Sequence, residues 1–386
     1  MATYLTHGLI ISFIFFQLVV LGFILSNILV LHRARLHVPP NDLPTVSILV
    51  PARNEENSIE LCIQSLLAQD YPSYEVIALD DQSSDGTLTM LEQIASSQPR
   101  LKVLAGTPPP EGISGKNWAC AHLADQSKGD LLLFTDADTV FKPHSLRLIV
   151  SSMSGEQADL LTGFPRQHVH TWGERLLVPF FSWAVLCFIP LWLAYRLRMP
   201  VLSSAVGQMM LFRREAYRKI GGHENLGPLI VDDLVLARRI KAADLRWRVM
   251  NVSDLITCRM YHGSREAFDG FSKNLFATFD FHVSVFLFVY IWLGMLFLEP
   301  LIILAALTLG QAQTARLSEL VICIGLSLLL WLIPFFEMGV PLPLGLIYPL
   351  TILANEVVAF QSLRLSLVGR LSWKGRPLGR PKWKWL

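Results

Sequence analysis

Leu131-Leu132-Leu133-Phe134 leads directly into Thr135-Asp136-Ala137-Asp138, so a short apolar strand ends by offering two carboxylates one residue apart. Residues i and i+2 of an extended chain share a face. Asp136 and Asp138 therefore suit one hard divalent cation, held directly or through water, and such a cation commonly clamps phosphates. An acidic turn closing a strand is the plainer reading of the same pair. Asp80 and Asp81 precede Gln82-Ser83-Ser84-Asp85-Gly86-Thr87, where a carboxylate can accept from a nucleobase N–H or a ribose hydroxyl. Asp81 is the better ligand, and Asp85 reads as a turn and helix cap. Gly115-Lys116-Asn117-Trp118 follows a Pro/Gly-rich loop and opens a helix, a setting in which backbone amides and an ammonium meet phosphate. In Val231-Asp232-Asp233-Leu234, the recurrence of Leu234, Ala237 and Ile240 puts both acids at a helix start. Capping accounts for Asp232 better than it accounts for two successive acids.

These groups need elements to carry them. Strands over Val46–Val50, Glu75–Leu79, Leu101–Leu104 and Leu131–Phe134 alternate with helices near Ile59–Ala68 and Thr87–Ala95. That alternation predicts α/β architecture with βαβ units and a mostly parallel sheet. Ligands in such sheets bind at the carboxyl ends of the strands. Pro51-Ala52-Arg53-Asn54-Glu55-Glu56, Asp80-Asp81 and Asp136-Ala137-Asp138 all fall there.

The whole chain of 386 residues is 52% hydrophobic and 17% charged, with a mean hydropathy of +0.43, too apolar for an ordinary soluble enzyme. A formal charge of +2 without a long basic run outside the tail argues against nucleic acid as a partner. The five cysteines lack metal-ligand spacing, which disfavours zinc and disulfides and fits a reducing compartment. Leu9–Leu31 has the length of a membrane span. The His32-Arg33-Ala34-Arg35 flank puts the following segment in the cytoplasm. A cleaved signal peptide fits less well, for lack of a basic start and a small-residue cleavage site. Pro39, Pro40 and Pro44 form a stiff link to the soluble region.

Leu176–Leu193, interrupted by Pro179 and Pro190, reads as an interfacial element rather than a span. Val283–Leu309, Leu320–Phe335 and Leu342–Phe360 supply up to three more spans before a basic, aromatic tail. Three spans after the soluble region would place that tail outside, against the charge rule. One of the last segments is therefore expected to be re-entrant or interfacial, or Pro334, Pro341 and Pro343 mark a broken hairpin. In the tail, Trp373, Lys374 and Arg376 either anchor the chain to anionic headgroups or fold over the donor as a lid. His168 and His170 read as polar loop residues. Glu299, Glu337 and Glu356 are the main charges within the later spans, and Glu299-Pro300 marks either a kink or an acceptor-facing site.

A metal-diphosphate site, a base-recognition edge and a carboxylate able to deprotonate an acceptor hydroxyl together describe transfer of a sugar from a nucleotide. The residues resemble the family 2 glycosyltransferases, whose fold is GT-A (Rossmann-like). The match lies in Val46 to Glu56, Leu79 to Thr87, Asp136-Ala137-Asp138 and Val231-Asp232-Asp233, and covers roughly residues 44–280. The resemblance implies an inverting single displacement with Mg2+ or Mn2+. It implies Pro51, Ala52, Arg53, Glu55, Asp80 and Asp81 at the nucleoside and Lys116 at the donor. Asp136 and Asp138 then hold the metal diphosphate, and Asp233 is the base beside Asp232. Processive synthases carry a Gln-x-x-Arg-Trp stretch where this chain has Gly270-Phe271-Ser272-Lys273-Asn274-Leu275, which disfavours polymer synthesis.

The expected layout is an anchor over 1–36, a cytoplasmic GT-A domain over 44–280 with an interfacial stretch near 176–199, membrane or re-entrant helices over 281–362, and the tail 363–386. The expected reaction is non-processive transfer of one hexose, from a UDP-sugar as first choice, to a hydroxyl of a membrane lipid in a bacterial inner membrane. The layout resembles carotenoid, hopanoid-associated and ceramide-type lipid glycosyltransferases. Alternatives are a polyprenyl-phosphate sugar synthase and a catalytically silent nucleotide-sugar-binding membrane protein.

Overall fold

The computed structural model describes residues 2–33, 43–226, 231–310, 316–373, 376–377 and 382–385. In chain order the strands are β1 (Val46–Ala52), β2 (Tyr74–Asp80), β3 (Leu101–Ala105), β4 (Leu131–Phe134), β5 (Thr139–Phe141), β6 (Leu160–Phe164), β7 (Arg166–Gln167), β8 (Met210–Arg213), β9 (Trp247–Asn251) and β10 (Ile256–Cys258). The helices are α1 (Ala2–Arg33), α2 (Ile59–Leu67), α3 (Thr87–Ala95), α4 (Gly115–Gln126), α5 (Ser145–Gly155), α6 (Trp172–Phe188), α7 (Leu191–Ala194), α8 (Arg214–Lys219), α9 (Asp232–Ala242), α10 (Ser264–Asn274), α11 (Val283–Thr308), α12 (Leu317–Glu337), α13 (Pro343–Leu346) and α14 (Tyr348–Val368).

One sheet runs β3-β2-β1-β4-β8-β6-β9, and β5-β10-β7 form a small second one. β3, β2, β1 and β4 are parallel, whereas β8 runs antiparallel between β4 and β6. The continuous apolar runs of β1 and β4 are what a sheet covered on both faces requires. Alternation splits them. Val46, Ile48, Val50, Leu131 and Leu133 join the core under α2 and α5, while Leu49, Leu132 and Phe134 join the core under α4. That second core is continuous with the apolar helices, taking in Ile10, Phe13 and Val20 of α1, Leu296 of α11 and Trp331 of α12. Sheet and helix bundle therefore share one interior.

Among the described residues three helices are long and apolar enough to cross a membrane, over His7–His32, Val283–Thr308 and Leu317–Glu337. α1 and α12 run parallel, since His7 Nδ1 lies 2.7 Å from Glu319 Oε2 at one end and His32 Nε2 lies 3.1 Å from Glu337 Oε2 at the other. α12 ends at the sheet, where Asn251 Nδ2 donates to Glu337 O. α14, which overlaps the last of the expected spans, is not among the three; it carries Asn355, Glu356, Gln361, Ser362 and Arg364. It packs on α6, α10 and α11 instead. Asn355 donates to Leu176 O, and Ser362 accepts from the Phe276 amide.

α6 has 17 residues and is not one of the span-length helices. Pro179 was expected to interrupt it, but the helix runs through that residue and breaks at Ile189-Pro190. Asn27 of α1 repairs the break by donating to Leu186 O and Ile189 O and accepting from the Leu191 amide. The Trp183 indole stacks on Trp331 at 4.0 Å and 9° and donates to Leu330 O. A tail segment closes α11, with the carbonyls of Lys384 and Trp385 accepting from the amides of Val283 and Ser284. Trp373 pairs with Arg376 in a two-stranded hairpin, and Lys374 lies outside the described residues.

Candidate active site

The carboxyl ends of β1, β2 and β4 deliver the polar groups. β1 ends in Pro51-Ala52 and turns at Asn54, whose φ of 51° is left-handed. Asn54 tolerates that region because its short polar side chain bonds locally; its Oδ1 accepts from the Ser84 amide, tying the β1 loop to the β2 loop. Asp81 reaches the cavity described below, with Arg53 Nη1 at 3.9 Å from its Oδ2. Asp80 does not line that cavity. Its Oδ2 accepts from the Ser83 amide, bracing the turn that presents Asp81. Asp85 accepts from the amide and hydroxyl of Thr87, the cap its sequence indicates.

β4 ends with Phe134 opposite Met210 of β8, so the antiparallel pairing returns Gly207 and Gln208 beside Asp136 to Asp138. Thr135 Oγ1 donates to Gln208 O at 2.8 Å and fastens the two segments. A Cβ added to Gly207 would stand 3.4 Å from Lys116 Nζ, 3.5 Å from Asp136 Oδ2 and 3.8 Å from Asp233 Oδ2. Three charged groups from three elements therefore surround one bare stretch of backbone. Nothing in local sequence marked Gly207; the β4–β8 register brings it there.

Lys116 at the start of α4 lies 2.8 Å from Asp136 Oδ1. The turn before it is capped by Ser114 Oγ, which accepts from the Asn117 amide. Asp233 Oδ2 accepts from the Gly207 amide at 3.1 Å, and its Oδ1 accepts from the Leu234 amide at 2.7 Å. Burial, reinforced by the charge of Asp232, raises the proton affinity of Asp233 above the ordinary carboxylate range. Asp232 is shifted the other way. Burial alone would raise it, but Lys116 and His223 outweigh burial and hold it ionised. Burial also raises Asp138, with the charges of Asp136 and Glu55 adding to it.

Asp138 Oδ1 is buried without a hydrogen-bond partner, and Glu55, Asp136 and Asp138 line the same cavity. Crowded acids with an orphaned oxygen suit a hard cation. Among the described residues no group of three or more His, Cys, Asp or Glu could hold a metal alone. Asp136 and Asp138 could hold a cation whose coordination phosphate oxygens complete.

One cavity of about 1230 Å³ contains Pro51, Ala52, Arg53, Glu55, Asp81, Lys116, Asp136, Asp138, Asp232 and Asp233. It continues past Gly207 and Ser204 to Phe180, Val185 and Phe188 of α6, Phe16 of α1, and Phe288 and Trp292 of α11. Phe16 and Phe288 pack against Trp292 at centroid distances of 5.6 and 6.3 Å. Phe288 is 66% exposed, so the apolar end reaches the outer surface of the span-length helices. Glu299 does not line the cavity. The side chains of Trp373 and Arg376 are not described.

Residues 47–221 match the family model Glycosyl transferase family 2. The chain is 28% identical over 204 residues to a probable glycosyltransferase, YdaM, of Bacillus subtilis, covering 52% of this chain and 47% of that protein. It is 26% identical to the 4,4'-diaponeurosporenoate glycosyltransferase of Staphylococcus haemolyticus, covering 60% and 61% respectively. It is 36% identical to the beta-monoglucosyldiacylglycerol synthase of Synechocystis over 28% of this chain and 22% of that protein. The chain thus spans less than two thirds of each of these relatives. Its fold is similar to that of the mannosyltransferase PcManGT of Pyrobaculum calidifontis, solved with GDP-Man and Mn2+, at TM-score 0.53 and 17% identity over 93% of this chain and 99% of that one. The chain has a GT-A fold, within which residues 47–221 match the glycosyl transferase family 2 model.

Proposed function

We propose that this chain moves one hexose from a nucleoside-diphosphate sugar to a hydroxyl of a hydrophobic membrane lipid, by a single inverting displacement and without polymerisation. The observation that carries the reading is the single cavity that joins the carboxylate cluster to apolar walls supplied by α1, α6 and α11. A soluble acceptor has no use for such walls. Relatives named for a carotenoid acid and for a glucosyldiacylglycerol support a lipid acceptor.

In this reading Pro51, Ala52, Arg53, Glu55 and Asp81 hold the nucleoside, a UDP-sugar being the first donor to try. Asp80 shapes the Asp81 turn from outside the cavity. Lys116 faces the diphosphate, exchanging its contact with Asp136 as donor and cation enter. Asp136 and Asp138 would hold Mg2+ or Mn2+, which when bound stabilises charge gathering on the leaving diphosphate. Asp233 takes the proton from the acceptor hydroxyl as that oxygen attacks the anomeric carbon. Its raised proton affinity suits it to this, because a general base works best with a pKa near the working pH. A phosphate nucleophile would need no such base, so a lipid hydroxyl is favoured over a polyprenyl phosphate.

Taken as spans, the three span-length helices among the described residues support one orientation. With α1 and α12 ending at the sheet and α11 leading away from it, the GT-A domain and the tail share one side. The basic flank after α1 makes that side cytoplasmic. Tail residues 382–385 anchor at the headgroups. The test is transfer by full-length protein in nanodiscs supplied with labelled UDP- or GDP-hexose, Mg2+ or Mn2+ and membrane lipid extract. Label should move into the organic phase only with metal present; label released solely as free sugar or nucleotide would contradict the reading.

A further inference from the structure

Behind the Asp232-Asp233 pair lies a buried set of polar groups not used in the mechanism above. His223 is fully buried, with its Nδ1 2.8 Å from the Tyr217 hydroxyl and its Nε2 3.7 Å from Asp232 Oδ2. The same hydroxyl accepts from the His223 amide at 3.0 Å. Gly221 and Gly222, at φ of 79° and 50°, make this compact turn possible, since a Cβ on Gly222 would lie 2.7 Å from the Tyr217 ring. Phe134, the last residue of the strand that carries Asp136 and Asp138, packs on both rings at 4.7 and 5.2 Å.

The tautomer follows from these contacts. The tyrosine hydroxyl meets the His223 amide, which donates to it, and Nδ1; among the described residues its one proton has Nδ1 as its acceptor, and it donates there. A neutral ring then carries its proton on Nε2. The opposite tautomer would turn the Nε2 lone pair toward a carboxylate. Both Nε2 and Asp232 Oδ2 lack any closer partner. At 3.7 Å they attract as dipole and charge, and a small closure would make a hydrogen bond.

We propose that Tyr217 and His223 form a positioning relay that fixes the Asp232 carboxylate through an Nε2–H donor, and through it the geometry of Asp233. His223 is a positioning residue here, not a base. The inference rests on Asp233 acting on the acceptor hydroxyl. Asp232 then serves as a fixed counter-charge rather than a second proton acceptor. Lys116 keeps its own contact with Asp136, so donor binding should not depend on the relay.

The test has two parts in full-length protein in nanodiscs. Imidazole nitrogen NMR of 15N-histidine protein, assigned with His223→Gln, should show His223 as a neutral Nε2–H ring between pH 6 and 8. An Nδ1–H ring or a titrating one would overturn the proposal, and this readout stands even if no sugar is transferred. In transfer assays, His223→Leu should lower kcat by about 10–100-fold, as losses of supporting shells do, with donor KM within about threefold. His223→Gln, whose amide can replace Nε2–H, should recover most of that loss. Tyr217→Phe, the variant least able to disturb packing, should shift kcat in the same direction. Unchanged kcat in Tyr217→Phe, or a Leu defect that Gln does not relieve, would contradict the relay.

Discussion

Asp232 and Asp233 are neighbours in sequence, yet their surroundings separate them. Lys116 and His223 keep Asp232 ionised, whereas burial and the Asp232 charge raise Asp233. As the proposed base, Asp233 must be ionised to act. Transfer should therefore fall on the acid side at a pH above the ordinary Asp value of about 3.9. In Asp232→Asn the repelling charge is gone, so the acid limb of kcat/KM should move to lower pH. A limb that stays put would show that Asp233 does not titrate in that profile. Asp233→Asn should cost about 10²–10⁴-fold in kcat, the usual worth of a general base, while leaving nucleotide affinity intact by calorimetry. Gly207→Ala places a methyl among Lys116, Asp136 and Asp233. Transfer should drop by roughly 10²-fold, as small misplacements near the reacting atoms do, and nucleoside-diphosphate binding should weaken with it, since Lys116 and Asp136 are assigned to the diphosphate.

At the scale of elements, the joint between α6, α1 and α12 sets the position of the cavity wall. Trp183 is 1% exposed, stacked on Trp331 and bonded to Leu330 O. Trp183→Ala should cost about 3–5 kcal/mol, the range for truncating a buried large aromatic. Asn27→Ala leaves two carbonyls and an amide at the Pro190 break without their partner, at about 1–3 kcal/mol for a buried group so abandoned. Both losses should appear as lower denaturation midpoints in detergent. Much of the sheet was legible in sequence because β1, β2 and β4 are apolar runs ending in polar turns. Strands Leu131–Phe134 and helix Thr87–Ala95 begin and end where the pattern indicated. β8 was not legible. Met210–Arg213 is short, and its antiparallel insertion depends on pairing with β4 and β6, which no local period encodes. Gly207 and His223 were missed for the same reason. Which of the last apolar segments departs from a plain span was not legible either, because the partners that Asn355 and Ser362 find on α6 and beside α10 are tertiary contacts.

For the whole molecule, the decisive feature is continuity: one interior connects sheet and helices, and one cavity connects acids and apolar walls. If the three span-length helices among the described residues are the spans, as proposed, the two after the GT-A domain would return the tail to its side and the conflict posed by four spans would not arise. If lipid enters at Phe16, Phe288 and Trp292, then Trp292→Ala should raise the acceptor KM several-fold and leave donor KM unchanged. The central claim, that this site glycosylates a membrane lipid, is tested most directly by mass spectrometry of lipid extracts. Cells producing the wild-type chain are compared with cells producing Asp233→Asn at equal membrane abundance. A lipid heavier by one hexose should be present in the first and absent from the second, with its unglycosylated precursor accumulating. Identical lipid profiles would contradict the account.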